Sequence, residues 1–439
     1  MRTNIGTAIH ERTHEGAIAK RITPEQELIR SVMCCLLWED SFYESGKLIA
    51  DRIKDLIPKC KPVRVAAIAV KARDEMKLRH VPLLIVREMA RYTEHKKFVE
   101  NTLKHIIQRP DELAEFLSIY WKEGRTSIAG CVKRGLAKAF TKFNRYQLAK
   151  YNRDGPIKLR DVLFLCHAKP KNEEQAKDWK DLISAELEPP DTWEVALSGG
   201  ADKKESFERL IKEKKLGAMA LLRNLRKMTE VQVSPDIIRK ALKEIKADKV
   251  LPFRFITAGR YVPQFEPELE SLMLKCLEGE EKLPGRTCLL IDVSGSMDYN
   301  LSAKAETTRM DAACGLAVLL REICEQVGIL TFSVSLVVVP PRRGFALSDA
   351  IKKSQPHSGT HLGGALQRIA QMPEKFDRLI VITDEQSADQ VSGGIAEKSY
   401  LINVGTYKNG VGYGPKWTHI DGWSEAVVTF IRTLEKESV

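Results

Sequence analysis

The stretch Ile291-Asp292-Val293-Ser294-Gly295-Ser296-Met297 decides the fold of the second part of this chain. It directly follows the apolar run Thr287-Cys288-Leu289-Leu290. An apolar run that ends in a polar, glycine-containing turn predicts a buried parallel strand and the loop at its carboxyl end. That edge is where open α/β sheets bind ligands. Asp292, Ser294 and Ser296 place one carboxylate and two hydroxyls there, and Mg²⁺ prefers such oxygen ligands.

Two later segments predict further side chains at the same edge. Ser358-Gly359-Thr360-His361 precedes a segment with helical apolar spacing, so Thr360 is predicted in a loop at a helix start. Residues 377–385 form an apolar run that ends in acid, which predicts a second strand with Asp384 at its tip. The alternative is that these side chains only cap turns, but three separate loops would then have to agree by chance.

Together the three segments resemble the metal-ion-dependent adhesion site of von Willebrand factor A domains, whose motif is D-x-S-x-S followed by a Thr and an Asp. The resemblance implies a divalent cation, which we expect to be Mg²⁺, held partly through water and with one position open. The predicted metal ligands are Asp292, Ser294, Ser296, Thr360 and Asp384.

The pattern around these segments predicts the fold independently. Strand and helix signals alternate along the chain: helical spacing at 312–323, two short strands or a hairpin at 329–339, a buried strand at 401–404 and a helix at 426–434. Such alternation is typical of a parallel-sheet, Rossmann-like α/β domain, which we assign to residues 281–439.

Residues 1–280 differ, because strand signals are scarce there and helical periodicity recurs. One helix face is formed by Val65, Ile68, Ala69, Ala72 and Met76. Successive short helices over this length predict a ring-like α-solenoid of HEAT-like repeats that begins near residue 24. We expect its two ends to flank the α/β domain and leave a hole, with the boundary in the polar linker at 278–285.

Positive charge is concentrated in the helical part. The whole chain has a formal net charge of +11. Residues 1–280 hold 53 Lys and Arg against 41 Asp and Glu, whereas residues 281–439 hold 17 against 18. This asymmetry predicts a polyanionic partner for the helical part.

One predicted helix, over residues 128–150, indicates how this charge is arranged. Four cations spaced 4, 4 and 3 residues apart form one stripe, opposite an apolar stripe: Arg134, Lys138, Lys142 and Arg145. No Asp or Glu occurs from residue 124 to residue 153. We therefore expect the stripe to contact phosphates, and the alternative is a basic face that is merely solvated.

The residues after this stripe resemble a segment of the Ro autoantigen family, whose members carry a TROVE module followed by a von Willebrand factor A domain. The similar segments are 150–155, 158–170, 14–17, 42–46, 221–225 and 252–255. The resemblance implies that the helical repeats close into a ring, which the von Willebrand domain bridges. It also implies binding of small structured Y RNAs on an outer basic surface and of single-stranded ends of misfolded RNAs in the hole.

The carry-over of RNA contacts is partial. Lys150 and His167 match positions that the resemblance implies touch Y RNA, whereas Arg153 stands one place from the family's Arg and Pro156 replaces its Trp. Without the resemblance, His167 is interpreted as a satisfied core histidine. The predicted RNA-binding residues are Arg134, Lys138, Lys142, Arg145, Lys150, Arg153, His167 and Lys169.

No P-loop, G-x-S-x-G or H-E-x-x-H motif occurs, and we expect no enzymatic activity. The sequence predicts a Ro-type RNA-binding protein for non-coding RNA quality control or processing, with an exoribonuclease or RNA ligase as a candidate partner. The alternative is a metal-dependent adhesion module without physiological RNA. The lack of an 18-residue apolar run and of C-x-x-C spacing among nine cysteines predicts a cytoplasmic protein without a membrane span, and we expect a monomer.

Overall fold

Helices occupy the first part of the chain and a six-stranded sheet the second. None of the helices in the part of the chain that the structure describes is long and apolar enough to cross a membrane. The computed structural model describes residues 12–18, 22–34, 45–76, 78–152, 154–188, 190–191, 202–247, 250, 252–279, 281–301, 305–405, 407, 409–422 and 426–437.

The helices of the first part begin at local sequence signals. Ser45 and Asn172 accept hydrogen bonds from backbone N–H groups of the turns that follow them. Pro62 and Pro235 open helices at the position where a missing N–H costs nothing. The helices are α1 (Pro24–Cys34), α2 (Gly46–Leu56), α3 (Pro62–Asp74), α4 (His80–Met89), α5 (Lys96–Ile106), α6 (Asp111–Tyr120), α7 (Gly130–Phe140), α8 (Arg145–Tyr151), α9 (Leu159–Cys166), α10 (Glu173–Ser184), α11 (Lys203–Lys212), α12 (Ala218–Glu230), α13 (Pro235–Glu244), α14 (Pro252–Tyr261) and α15 (Glu266–Lys275).

These helices stack in two layers. In one layer α1, α3, α5, α7 and α9 contact each other in succession, and in the other α2 contacts α4 and α4 contacts α6. The same alternation continues later, where α11, α13 and α15 form one layer and α12 contacts α14 in the other. Because helices within each layer contact the next but one along the chain, the arrangement is a solenoid of helical repeats, and the predicted start near residue 24 is confirmed.

One predicted helix is wrong, because residues 128–151 form two helices. A capping box starts α8 as a separate helix: Asn144 Oδ1 accepts from the backbone N–H of Gln147 (3.0 Å), and Gln147 Oε1 accepts from the N–H of Asn144 (3.1 Å). The predicted basic stripe is therefore divided between α7 and α8, with Lys142 in the turn between them.

The second part is a doubly wound α/β domain. Its strands are ordered β3-β2-β1-β4-β5-β6 and all pairs are parallel except that of β2 with β3, which forms the predicted hairpin. Strand β6 was not predicted. The elements are β1 (Leu283–Asp292), α16 (Arg309–Ile323), β2 (Cys324–Phe332), β3 (Leu336–Val338), α17 (Gly344–Lys352), α18 (Leu362–Ala370), β4 (Arg378–Thr383), β5 (Lys398–Asn403), β6 (Thr418–Asp421) and α19 (Ala426–Glu437).

Both ends of the solenoid contact the α/β domain. At one end α1 meets β6, and at the other α14 packs on α16 and α15 on α17. The apolar core of α11–α15 continues into one face of the sheet, whereas residues 28–182 form a separate core. The chain thus leaves the α/β domain and returns to it, which is the ring-like arrangement predicted from the sequence.

Candidate metal centre and RNA-binding surface

The loop after β1 lies at the point where the strand order reverses between β1 and β4. Asp292 ends β1 and is fully buried. Its Oδ1 accepts a hydrogen bond from the backbone N–H of Ser294 (2.8 Å), and its Oδ2 accepts from Thr383 Oγ1 (2.6 Å) at the end of β4. The carboxylate of Asp292 is therefore fixed in the crevice where open α/β sheets bind ligands.

Ser296 and Asp384 meet in the same crevice. The Ser296 hydroxyl donates to Asp384 Oδ2 (2.7 Å) and lies 3.3 Å from the Ser294 hydroxyl. Gly405 packs directly under Asp384, since a Cβ at Gly405 would lie 2.2 Å from Asp384 Cβ. Four of the five predicted ligands are thus linked by direct hydrogen bonds or close oxygen contacts.

Thr360 reaches the same region through its loop. The carbonyl of Ser358 accepts from the N–H of Gly295 (2.9 Å), which brings this loop against the D-x-S-x-S turn. The Thr360 carbonyl accepts from the N–H of Ala388 (2.8 Å), and Thr360 is buried. The structure therefore holds all three predicted segments together at one sheet edge.

The electrostatics of this crevice favour a cation. Burial and, after it, the negative charge of Asp384 together raise the pKa of Asp292 to about 7. Among the described residues, no three or more His, Cys, Asp or Glu side chains are grouped so that they could hold a metal ion. The predicted metal ligands in this crevice are two carboxylates together with hydroxyl groups. Such a set fits Mg²⁺ or a similar hard cation.

One charge at this edge was not predicted from the sequence. Arg309, at the start of α16, is buried, and its Nη1 donates to Asp384 Oδ2 (3.1 Å) and to the Ser296 carbonyl (3.3 Å). Thr308 fixes this helix start through a capping box with Asp311. Because Arg309 pairs with Asp384, it offsets part of the negative charge of that carboxylate at this edge.

A buried ionic cluster beside this edge ties α1 to the α/β domain. Arg30 of α1 pairs with Glu385, the residue after Asp384, and also donates to the carbonyls of Tyr407 (2.6 Å) and Asn409 (3.0 Å). Burial raises the pKa of Glu385, but the charge of Arg30 and of His419 more than offsets it and brings that pKa to about 2. The sequence offered no signal for a pair 355 positions apart.

The predicted basic stripe of α7 and α8 is paired with acids from neighbouring helices. Glu100 of α5 accepts from Arg134 (2.6 Å) and pairs with Lys138 (2.5 Å). Arg145 pairs with Asp178 (3.3 Å) and with Asp181, both in α10. The expectation that few acids lie within reach is therefore wrong, because the solenoid packing brings acids that are distant in sequence beside the stripe.

Lys142 has a structural role in the turn after α7. Its ammonium donates to the carbonyls of Lys104 (2.7 Å) and Ile107 (2.5 Å) at the end of α5. These are carbonyls that lack partners within their own helix, so Lys142 caps α5. Burial lowers the pKa of the Lys142 ammonium.

The surface at the end of α9 differs from the stripe, because it exposes aromatic rings next to a cation. His167 is exposed and ends α9 in the left-handed region (φ 54°), which turns the chain outward. The Phe164 side chain, three residues earlier, is 58% exposed, and Lys169 is exposed as well. Lys150 lies over the Tyr151 ring (5.7 Å), whereas the predicted contact Arg153 lies outside the described residues.

Two comparisons with known proteins bear on this arrangement. A family model described as the TROVE domain matches residues 183–312. The crystal structure of the Ro (RSR) protein of Deinococcus radiodurans superposes with a TM-score of 0.59 at 16% sequence identity, covering 94% of this chain and 100% of that one. The chain therefore has the fold of that Ro protein, and residues 183–312 match the TROVE model. Both comparisons support the resemblance to the Ro family, and the fold class predicted from the sequence, a helical ring with a von Willebrand factor A-like domain, is confirmed.

The TROVE match covers one predicted site and not the other. It runs from α10 into α16 and so includes the D-x-S-x-S turn. The predicted RNA contacts between residues 134 and 169 precede it. Those contacts, the metal and the domain boundary at residue 280 therefore stay predictions.

Proposed function

We propose that this Ro-type protein binds small structured, Y-type RNA on the exposed surface of α8 and α9, and single-stranded ends of misfolded or aberrant RNA in the hole of the ring. The RNA held in this way enters non-coding RNA quality control or processing in the cytoplasm. The protein itself catalyses no reaction, and an exoribonuclease or RNA ligase acts on the RNA that it presents.

The observation that carries this proposal is the surface at the end of α9. It combines an exposed Phe164 ring, an exposed imidazole at His167 and the cation of Lys169. Aromatic rings stack on unpaired bases, and neighbouring cations bind the phosphates between them. Such a combination suits loops and bulges of a structured RNA better than it suits an acidic protein surface.

A second candidate function rests on the metal centre. Asp292, Thr360 and Asp384 are buried, but Gly295 and Ser296 are partly exposed, so the centre is accessible from their side. A bound Mg²⁺ would supply an open coordination position for an acidic group of a protein partner. In that case the protein is a metal-dependent adhesion module, and its binding of RNA is incidental.

The test measures how replacement of two exposed ring side chains, Phe164 and His167, changes the affinity for two RNAs. Affinity is measured by fluorescence anisotropy for a small structured RNA with loops and for a homopolymer of equal length. Phe164→Ala and His167→Ala are expected to weaken binding of the structured RNA by about tenfold, since stacking contributes roughly 1–3 kcal/mol per base, and to change homopolymer binding less. Leu48→Ala is the matched control, because Leu48 is also exposed (61%) but lies on α2.

The adhesion candidate predicts a different outcome. Neither RNA would then bind below micromolar concentrations, and the Phe164 and His167 variants would equal the Leu48 variant. Equal losses for structured RNA and homopolymer would also contradict the proposal, because they would indicate stacking on any unpaired base and no preference for a structured RNA.

A further inference from the structure

One cavity lies apart from the predicted metal centre and from the surface at the end of α9. It has a volume of about 440 Å³ and opens between α12, α14 and residues 305–307, which precede α16. Three arginines project into it: Arg223 and Arg226 from α12 and Arg254 from α14. Its walls also include apolar and aromatic side chains, so that charged and apolar groups line the same cavity.

The three arginines have different surroundings. Arg226 is already paired, with Glu230 at 3.1 Å and Glu306 at 3.9 Å, and its guanidinium lies over the Tyr261 ring at 5.3 Å. It therefore forms part of the wall. Arg223 has no ion pair among the residues that the structure describes.

Arg223 and Arg254 repel each other across the cavity. Burial lowers the pKa of Arg254, and the positive charge of Arg223 lowers it further. An anion between the two guanidiniums would change this repulsion into attraction. The planar guanidinium presents a fork of N–H donors that matches a phosphate in two parallel hydrogen bonds.

The rest of the cavity suits a flat apolar group. Tyr261 is 36% exposed and Met219 is 39% exposed, both high for large apolar side chains beside a packed core. Leu222 forms the buried floor next to them. Aromatic and thioether side chains are favourable neighbours for a nucleobase.

We propose that this cavity binds one nucleotide unit, with its phosphate between Arg223 and Arg254 and its base against Tyr261 and Met219. The proposal deepens the RNA-binding function proposed above and rests on it where the unit belongs to an RNA strand. A free nucleotide has the same chemistry, and the experiment separates the two sources.

The experiment uses the full chain. Binding of AMP, adenosine and inorganic phosphate is measured directly by isothermal titration calorimetry, and binding of a fluorescein-labelled oligouridylate of twelve residues is measured by fluorescence anisotropy. AMP is expected to bind, and both adenosine and phosphate to bind at least tenfold more weakly, because each lacks one half of the unit. In the Arg223→Ala and Arg254→Ala variants, AMP affinity is expected to fall about tenfold or more, since a hydrogen bond to a charged group is lost. Lys240→Ala on α13, which removes one exposed cation outside the cavity, is the matched control.

The outcomes distinguish the sources and the proposals. If the two arginine variants also lose oligouridylate affinity, the unit belongs to a strand; if only AMP binding falls, the ligand is a free nucleotide. Arg223→Lys is expected to recover part of the affinity, because charge returns without the fork. The cavity proposal is overturned if AMP does not bind the wild-type chain, or if the arginine variants match Lys240→Ala for both ligands. Failure of the wild-type chain to bind any RNA would instead overturn the proposed function.

Discussion

The two halves of the helical ring are attached to the α/β domain in different ways. The second half, α11–α15, shares one continuous apolar core with the sheet. The first half, α1–α10, has its own core. Helix α1 and the segment 12–18 before it meet the α/β domain through polar contacts and through Ala17, which packs in the apolar core on the other face of the sheet. There Arg30 pairs with Glu385, Thr13 Oγ1 donates to the Ser387 carbonyl (2.9 Å), and the N–H of His14 donates to Gln386 Oε1 (2.8 Å).

This difference indicates which joint of the ring opens. An apolar core is lost only when a large surface is exposed to water, whereas a polar joint depends on a few specific pairs. The residues of the polar joint, 385–387, directly follow the predicted metal ligand Asp384. We therefore expect ring opening at α1, and we expect the metal centre to lie at the joint that opens.

The largest expected effect comes from breaking the polar joint. Arg30→Ala leaves Glu385 buried without its main partner, which costs about 3–5 kcal/mol. Arg209→Ala is the matched control, because Arg209 pairs at the surface with Asp191 (42% and 46% exposed) and with Glu213 (39% exposed), and such pairs contribute little to stability. Urea unfolding measures both free energies, and hydrogen exchange locates the opening. Equal losses in the two variants, or faster exchange in α15 than in α1, would contradict the comparison.

A smaller effect is expected from metal binding beside the same joint. Excess Mg²⁺ stabilises the wild-type chain by mass action, by about 2.7 kcal/mol at a concentration one hundred times the dissociation constant. Asp292→Asn removes a ligand and the repulsion with Asp384, so this variant is expected to be more stable than wild type without metal and insensitive to added Mg²⁺. Thermal unfolding with and without Mg²⁺ provides the measurement. A wild-type melting temperature that does not change with Mg²⁺ would contradict the prediction that this centre binds Mg²⁺.

The polar joint is also expected to depend on pH through His419. Burial lowers the pKa of His419, but the charges of Asp421 and Glu385 outweigh burial and the opposing charge of Arg30, so that the pKa is raised above 6.5. Its contribution to stability is therefore fully present below pH 6.5 and is lost as pH rises through the higher folded value. The Tyr413 ring stacks on the His419 ring, with 4.0 Å between the ring centroids. Unfolding free energies of wild type and His419→Gln between pH 6 and 9 test this, and a parallel pH dependence of the two proteins would refute it.

The smallest expected effect distinguishes two basic patches on the first half. Lys169→Ala with Lys171→Ala removes two exposed cations after α9 and is expected to lower the slope of log affinity against log salt by about 1.4, since each phosphate contact contributes roughly 0.7. Arg134→Ala with Lys138→Ala is expected to lower it less, because the carboxylate of Glu100 already offsets one of these two positive charges. Titration of a single-stranded RNA at several salt concentrations gives both slopes. A larger change for the Glu100 pair would restore the stripe as the main phosphate contact.

The α/β domain could be predicted from the sequence because its signals are local. A buried strand that ends in D-x-S-x-S indicates both the fold and the edge of the sheet, so the sequence correctly predicted that Asp292, Ser294, Ser296 and Asp384 lie together. Their role as metal ligands stays a prediction. Arg309 was missed, although it starts the helix predicted next, because its contact with Asp384 spans 75 positions.

The charge of the helical surface was predicted less well, because it depends on which helices the fold brings next to each other. An absence of acids along the sequence predicted an unpaired stripe, but solenoid packing brings Glu100, Asp178 and Asp181 beside it. The capping box at Asn144 was visible as Asn-x-x-Gln and would have divided the predicted helix. Exposed aromatic residues such as Phe164 follow from helix packing and had no sequence signal.

Ultraviolet cross-linking of the full chain to a small structured RNA, followed by mapping of the cross-linked peptides, tests the central claim most directly. We expect cross-links within 145–151 and 159–169, at the surface of α8 and the end of α9. We expect these cross-links to be lost when His167 and Phe164 are replaced by Ala. Cross-links confined to the α/β domain, or an RNA that cross-links equally well after both replacements, would contradict the assignment of this surface to RNA.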